Sequence, residues 1–377
     1  MSTKAVIVFL LRYAAGFAAA GFFQYFLYRY IKTLTQDVKR IAFPIFGLFN
    51  VITLFIILDY FLHLTLNQYV YMLIWPLAIG FHLISGFFVI FRSMAWILTG
   101  FLKKPDRVQR ERRSFIAGTV AGFFAGTVFT YAARKAAGPF KITRVKARVK
   151  GIGRPFTIAH VTDIHAGWYF GPARIQSLKD SIMELKPDLI VFTGDQLHGN
   201  HYPFLIQLRD NLKGIHAPMG VFQVSGNHDH RTGKELLFRE LERIGIKYLD
   251  NAVTIIKNGN KTFQLAGVDD IFYQGDVDEV IDKLDKSQPV ILLSHRPELM
   301  DEQEIENFDL VLAGHTHGGQ LCVGALCASD YETTYRYGMY KKNRTLMFVS
   351  SGAGITGPPM RIGTAPEIAL ITVHDDD

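Results

Sequence analysis

MGVFQVSGNHD, residues 219–229, joins an apolar run to a polar turn, and its reading decides the fold. Met219 to Val224 reads as a buried strand, and Gly226-Asn227-His228-Asp229 as the turn that leaves it. An Asn and a His side by side just past a strand end suit a site that binds a cation and moves a proton. Taken alone, the four residues are equally well an ordinary polar turn. The same arrangement recurs on both sides. Asp163-Ile164-His165 and Gly194-Asp195 stand upstream, and His295 and Gly314-His315-Thr316-His317 downstream. Each set follows an apolar, strand-like run.

Working outward, the pattern from Phe156 on is that of a globular α/β domain. Strands are expected at Phe156 to Thr162, Asp188 to Thr193, Pro289 to Leu293 and Phe308 to Ala313, each ending at one of the polar sets. Helical spacing covers 173–185, 203–213, 232–244 and 276–286. Short strands near 252–257 and 261–267 flank Asn258-Gly259-Asn260, which reads as a hairpin turn. Phe348 and Val349, then Ile368 to Val373, close the domain.

In α/β sheets, sites gather at the carboxyl ends of strands. Asp163, His165, Asp195, Asn227, His295, His315 and His317 all fall just past such ends. They offer carboxylate and amide oxygens and imidazole nitrogens. That donor set suits Mn²⁺, Fe or Zn²⁺ rather than a structural cysteine site. It exceeds what one ion needs. A carboxylate shared between two ions absorbs the surplus, and paired ions are a known device for phosphoryl chemistry.

The ordered series D-x-H, G-D, G-N-H-D, a lone H and G-H-x-H resembles the calcineurin-like metallophosphoesterases over about residues 155–374. Gly318-Gly319-Gln320, Pro358-Pro359-Met360-Arg361 and Pro366-Glu367 resemble its membrane-linked bacterial branch. The resemblance implies two β-sheets packed face to face and flanked by helices. It implies two divalent ions, one on Asp163, His165 and His317, the other on Asn227, His295 and His315, bridged by Asp195. It also implies attack of a metal-bound hydroxide on a phosphate mono- or diester. His228 would then be the general acid for the leaving oxygen, with Asp229 orienting it.

The chain is 49% hydrophobic and only 20% charged, an average that joins two different parts. Apolar runs at 5–28, 41–62, 69–98 and 114–133 each meet the roughly 20 residues a spanning helix needs. The organisation expected is therefore an all-α transmembrane region over 1–133, a basic linker and first strand over 134–155, and the phosphoesterase domain over 156–377. Net charge is +7, yet many basic residues flank the apolar runs, so nucleic acid is set aside as a partner. Basic loops at 29–40 and 103–113 place those loops in the cytoplasm and the catalytic domain outside, on the inner membrane. The basic stretch Arg134 to Lys150 argues the other way. Arg112-Arg113 before a mild apolar segment resembles a twin-arginine export signal. Arg12, Asn50, Asp59, His82 and Arg92 fall in or near the runs; they face a bundle interior and mark function, or, on the plainer reading favoured here, Arg92 and Asp59 snorkel to an interface and Asn50 and His82 bond another helix.

In 144–150, Val145, Ala147 and Val149 alternate with Lys146, Arg148 and Lys150. The cationic face suits anionic headgroups or plain solvent. His198 and His201 stand where the resembling family more often has aliphatic or acidic residues, so they touch substrate or solvate a loop. His230 has no assigned role. Arg361 would meet a phosphate or form a surface ion pair. Cys322 and Cys327, the only cysteines, allow a bridge outside the cytoplasm or two buried thiols. The expected activity is hydrolysis of a phosphoester, with a phospholipid or lipid-linked phosphate among the candidates, by an enzyme bound to membrane lipid. The alternative is a catalytically silent metal-binding sensor or scaffold.

Overall fold

The computed structural model describes residues 126–199, 202–324, 326–331 and 333–375, with isolated helical positions between 25 and 124. The chain divides into two compact units, Met1–Ala133 and Arg134–Asp377. In the first unit, Asn50 donates to the Phe46 carbonyl one turn back, at 2.7 Å. Among the described residues no helix is long and apolar enough to cross a membrane. Run 69–98, most of 5–28 and 41–62, the first part of 114–133, the Arg112-Arg113 pair, Arg12, Asp59, His82, Arg92 and His201 lie outside the described residues.

The second unit is a two-sheet sandwich. One sheet runs β1 (Lys141–Arg148), β14 (Glu367–His374), β2 (Phe156–Val161), β3 (Leu189–Thr193), β4 (Val221–Val224) and β5 (Ile246–Tyr248). The other runs β12 (Gly338–Lys342), β13 (Thr345–Val349), β9 (Leu310–Ala313), β8 (Val290–Leu293), β7 (Lys261–Gly267) and β6 (Ala252–Asn258). A small ribbon pairs β10 (Cys322–Val323) with β11 (Leu326–Cys327). Both large sheets are mixed: β2, β3 and β4 are mutually parallel, as are β7, β8 and β9.

Burial on both faces explains the near-continuous apolar runs. Side chains alternate along a strand, so each central strand feeds two cores. Leu189 and Val191 enter the layer between the sheets, with Ile158, Val224, Leu265, Leu293, Leu312 and Phe348. Ile190 and Phe192 point outward, under α1 (Pro172–Glu184), α2 (Tyr202–Leu212) and α4 (Lys234–Glu242). A third core backs the other sheet, around Leu292, Val311 and Met347. Each such buried side chain stabilises by about 1.5–3 kcal/mol.

The expected helix 232–244 forms as α4, and a separate short helix precedes it. α3 (Asn227–Thr232) and α4 meet at Gly233, whose φ of 90° ends the first. The metal-site turn therefore opens a short helix instead of preceding one. The last helix, α5 (Val277–Asp282), starts at Asp276, whose side chain accepts from the Glu279 N–H. The hairpin at Asn258 to Lys261 forms, with Gly259 at φ 67°. The expected linker contributes a full edge strand: β1 pairs in parallel with β14 from Lys141 to Arg148. Its Ala147 is buried while Arg144, Lys146 and Arg148 are exposed.

Candidate metal centre

The two sheets present their central strand ends to one place. Asp163 and His165 leave β2, Asp195 leaves β3, and Asn227 opens α3 after β4. His295 leaves β8, and His315 and His317 leave β9. The backbone turns sharply at each exit. Asp163, His165, Asp195, His315 and His317 all have positive φ, between 47° and 71°. For residues with a Cβ this region costs of order 1–3 kcal/mol each, and such strain collects at functional sites. The glycine before Asn227 is there for closeness. A Cβ on Gly226 would sit 2.6 Å from the Asp195 amide nitrogen and against its carboxylate.

The side chains converge in two groups. His165 Nε2 lies 3.1 Å from His317 Nε2, and His317 Nε2 lies 3.4 Å from Asp163 Oδ1. His295 Nε2 lies 3.1 Å from His315 Nδ1. Asp195 Oδ2 stands between them, 3.5 Å from His165 Nε2 and 3.4 Å from His295 Nε2. Asp163, His165 and His317 form one metal-capable triad, and Asp195, His295 and His315 another. Asn227 Oδ1 and Asp163 Oδ1 are buried with no hydrogen-bond partner. Buried acceptors rarely stay unsatisfied. With imidazole lone pairs beside them, they fit two divalent cations.

The electrostatics agree. Burial, and then the His228 ring, keep His165 well below the usual imidazole range. Burial and the Arg361 guanidinium do the same for His317. Both are therefore neutral, as ligands must be. Burial opposes ionisation of Asp195, but His295 and His228 hold its carboxyl well below the usual range. Burial opposes a charge on His295 too, yet Asp195 outweighs it and pushes the ring up to about 10. Its Nδ1 lies 2.9 Å from the Thr193 carbonyl, which holds that proton and leaves Nε2 for the site. A cation there must displace a proton, so below about pH 10 binding releases one. Apparent Mn²⁺ affinity is expected to rise with pH by up to about tenfold per unit. Titration calorimetry at several pH values, in buffers of different ionisation enthalpy, checks this; a pH-independent affinity without proton release refutes it.

His228 sits edge-on to His165, ring centroids 4.7 Å apart, and burial lowers its pKa to about 4. Asp229 does not orient it, contrary to expectation. Its carboxylate accepts backbone N–H bonds from Asp195 (2.8 Å), Gln196 (2.9 Å), Leu197 (3.3 Å) and Gly226 (3.0 Å). A carboxylate inside two tight turns is drawn to their amides, so Asp229 shapes both ligand loops. Arg361 is neither a phosphate contact nor a surface ion pair. It is wholly buried and donates to backbone carbonyls behind His317. His198 stacks on His228 at 5.6 Å and so belongs to the site wall. His230 is paired with Asp269 at 2.6 Å and stacked on Tyr273. Cys322 and Cys327 are disulfide-bonded.

Sequence reasoning missed Arg296. Its Nε lies 2.9 and 2.8 Å from the two Asp270 carboxylate oxygens, its Nη1 lies 2.9 Å from His315 Nε2, and its guanidinium covers Phe272 at 4.3 Å. The available signal was an Arg directly after the ligand His295.

A family profile described as calcineurin-like phosphoesterase matches residues 156–319. An uncharacterized metallophosphoesterase of Bacillus subtilis, YkuE, is 30% identical over 291 residues, covering 70% of this chain and 97% of its own. The phosphodiesterase YaeI of Escherichia coli is 28% identical, covering 69% of this chain and 98% of its own. A zebrafish transmembrane protein with metallophosphoesterase domain is 28% identical, covering 76% of this chain and 71% of its own.

Proposed function

This chain belongs to the calcineurin-like phosphoesterase family and is a metal-dependent phosphoesterase, and from that premise we propose that it cleaves a phospholipid or lipid-linked phosphoester at the outer face of the plasma membrane. The observation that carries the hydrolytic reading is Asp195, set between two convergent ligand groups. Asp163, His165 and His317 would hold one ion, and Asn227, His295 and His315 the other, with Asp195 shared. Two divalent ions there would supply Lewis acidity toward phosphoryl oxygens and would acidify water for attack.

The chain's own residues do the rest. His228 gives a proton to the departing oxygen. Its pKa of about 4 leaves the ring neutral at pH 7, and an anionic phosphoester beside it favours the protonated form. Asp229 keeps the turns of Asp195 and Asn227 in register. The strained backbone fixes the ligand directions before any ion arrives.

The lipid reading rests on surfaces beyond the site. Arg144, Lys146 and Arg148 share one exposed face of β1, and each is worth about 1 kcal/mol near anionic headgroups. Trp168, Tyr169, Phe272 and Tyr273 are exposed on the loops after β2 and β7. Such rings favour the membrane–water interface. The apolar runs before residue 134 would supply the attachment, and the Cys322–Cys327 disulfide suits an oxidising compartment.

The test compares the full-length protein with residues 134–377. Each is assayed on a lipid phosphate in mixed micelles and on a soluble aryl phosphate. The apolar region is expected to raise kcat/KM for the lipid alone. Equal ratios for the two forms would reduce it to an anchor. A thiol introduced as Gly259→Cys, with the native cysteines replaced, should react with an impermeant reagent from outside; protection there would turn the domain inward.

A further inference from the structure

Arg296 contacts His315 in a way that ligation cannot tolerate. Its Nη1 lies 2.9 Å from His315 Nε2, and a guanidinium offers donors only. The Nε2 lone pair is therefore the acceptor. If Nε2 takes a cation, that lone pair is no longer available to Arg296. If Nδ1 takes the cation, the ring hydrogen sits on Nε2 and two donors face each other. Either way, filling the site drives Nη1 off His315.

The rest of the guanidinium cannot follow. Its Nε is fixed to both oxygens of Asp270, which is itself buried, and the plane rests on Phe272. The Arg296 side chain is only 11% exposed, so little water is at hand to solvate the released donor. An unpaired donor in such a place is costly until it meets an acceptor. It stands beside His295 and His315, where a substrate's non-bridging oxygens would lie.

We propose that Arg296 is the phosphoryl clamp of this enzyme: metal loading releases its Nη1 from His315, and that donor then grips a phosphoryl oxygen of the substrate, with Asp270 and Phe272 holding it in place. The clamp deepens the phosphoesterase reading and rests on it. Binding is then ordered, ions before phosphate, and Arg suits the task because its fork matches phosphate oxygens.

The experiment measures Mn²⁺ and inorganic phosphate binding to the full-length protein by calorimetry, apart from turnover. Arg296→Met is expected to keep both ions, at unchanged or tighter affinity, because a competitor for His315 is gone. Its phosphate Kd should rise about 10–100-fold, the loss of one charge-assisted hydrogen bond. Arg296→Lys keeps a charge near Asp270 but no fork, and should fall in between. Arg296→Met with Asp270→Asn removes the buried unpaired carboxylate and must show the same phosphate defect. A phosphate Kd within about twofold of wild type, with both ions bound, overturns the clamp. So does loss of an ion from a folded variant, which would make Arg296 a support for His315. Wild-type protein that takes up no Mn²⁺ would overturn the phosphoesterase reading and the clamp together.

Discussion

Asp195→Asn is expected to empty both metal positions and to lower kcat/KM by about 10³-fold or more, since the ions' Lewis acidity is worth several kcal/mol. The direction follows from one hydrogen bond. Asp195 Oδ1 accepts the His228 backbone N–H at 2.8 Å. In the amide, the oxygen must stay there, so the NH₂ group takes the place of Oδ2. That place lies 3.5 Å from His165 Nε2 and 3.4 Å from His295 Nε2. The shared anionic ligand becomes a donor facing both ion positions. His228→Ala is the contrasting variant. It should keep both ions and lose roughly 10²–10⁴-fold in turnover, the usual range for a lost general acid. Elemental analysis of the two proteins decides: full occupancy in Asp195→Asn would falsify the shared role.

Arg361→Met is expected to destabilise the catalytic unit by about 3–5 kcal/mol, since several buried carbonyls lose their donor at about 1–3 kcal/mol for each left unsatisfied. The side chains have similar volume, so packing is not the main loss. The loss is in donors. The Arg361 guanidinium serves Gly354 O at 2.6 Å, Ser351 O at 2.7 Å, Gly352 O at 2.9 Å, Ala365 O at 3.2 Å and His317 O at 3.3 Å. Burial lowers its pKa to about 10, which still leaves it charged at neutral pH. Methionine leaves five carbonyls without that partner. Gly354 and Ala353 in turn donate to the carbonyls of Asp163 and Thr162, so the first ligand turn should loosen too. Thermal unfolding should fall by roughly 10 °C, with weaker Mn²⁺ uptake. A shift under about 2 °C would show that the cage is satisfied without the guanidinium.

The two-sheet fold and the convergence of the seven candidate ligand side chains were legible because each sits next to the strand that aims it. Val221–Val224 and Asn227, or Leu310–Ala313 and His315, are neighbours in sequence as well as in space. The roles of Arg361 and Asp229 were not legible. Their partners are backbone amides and carbonyls, which no side-chain pattern announces. Arg296 was obscured differently: its meaning comes from Asp270 and Phe272, on a loop after another strand. The short helix α3 was hidden because Asn227 to Thr232 carry no apolar residue that could show a helical period, and it ends at the left-handed φ of Gly233.

The place of β14 also sets a timetable. It lies between β1 and β2, and among the described strands β1 joins the sheet only through it. A growing chain that has made every metal ligand still lacks residues 367–374. Until they arrive, β2, which leads to Asp163 and His165, has an open edge able to recruit foreign strands. Closing it joins Phe156 to Val373, a long-range pairing of the slow kind. The centre should therefore acquire its ions as a late event, after residues 367–374 are available, and a product lacking them should be a target for degradation rather than a weakened enzyme.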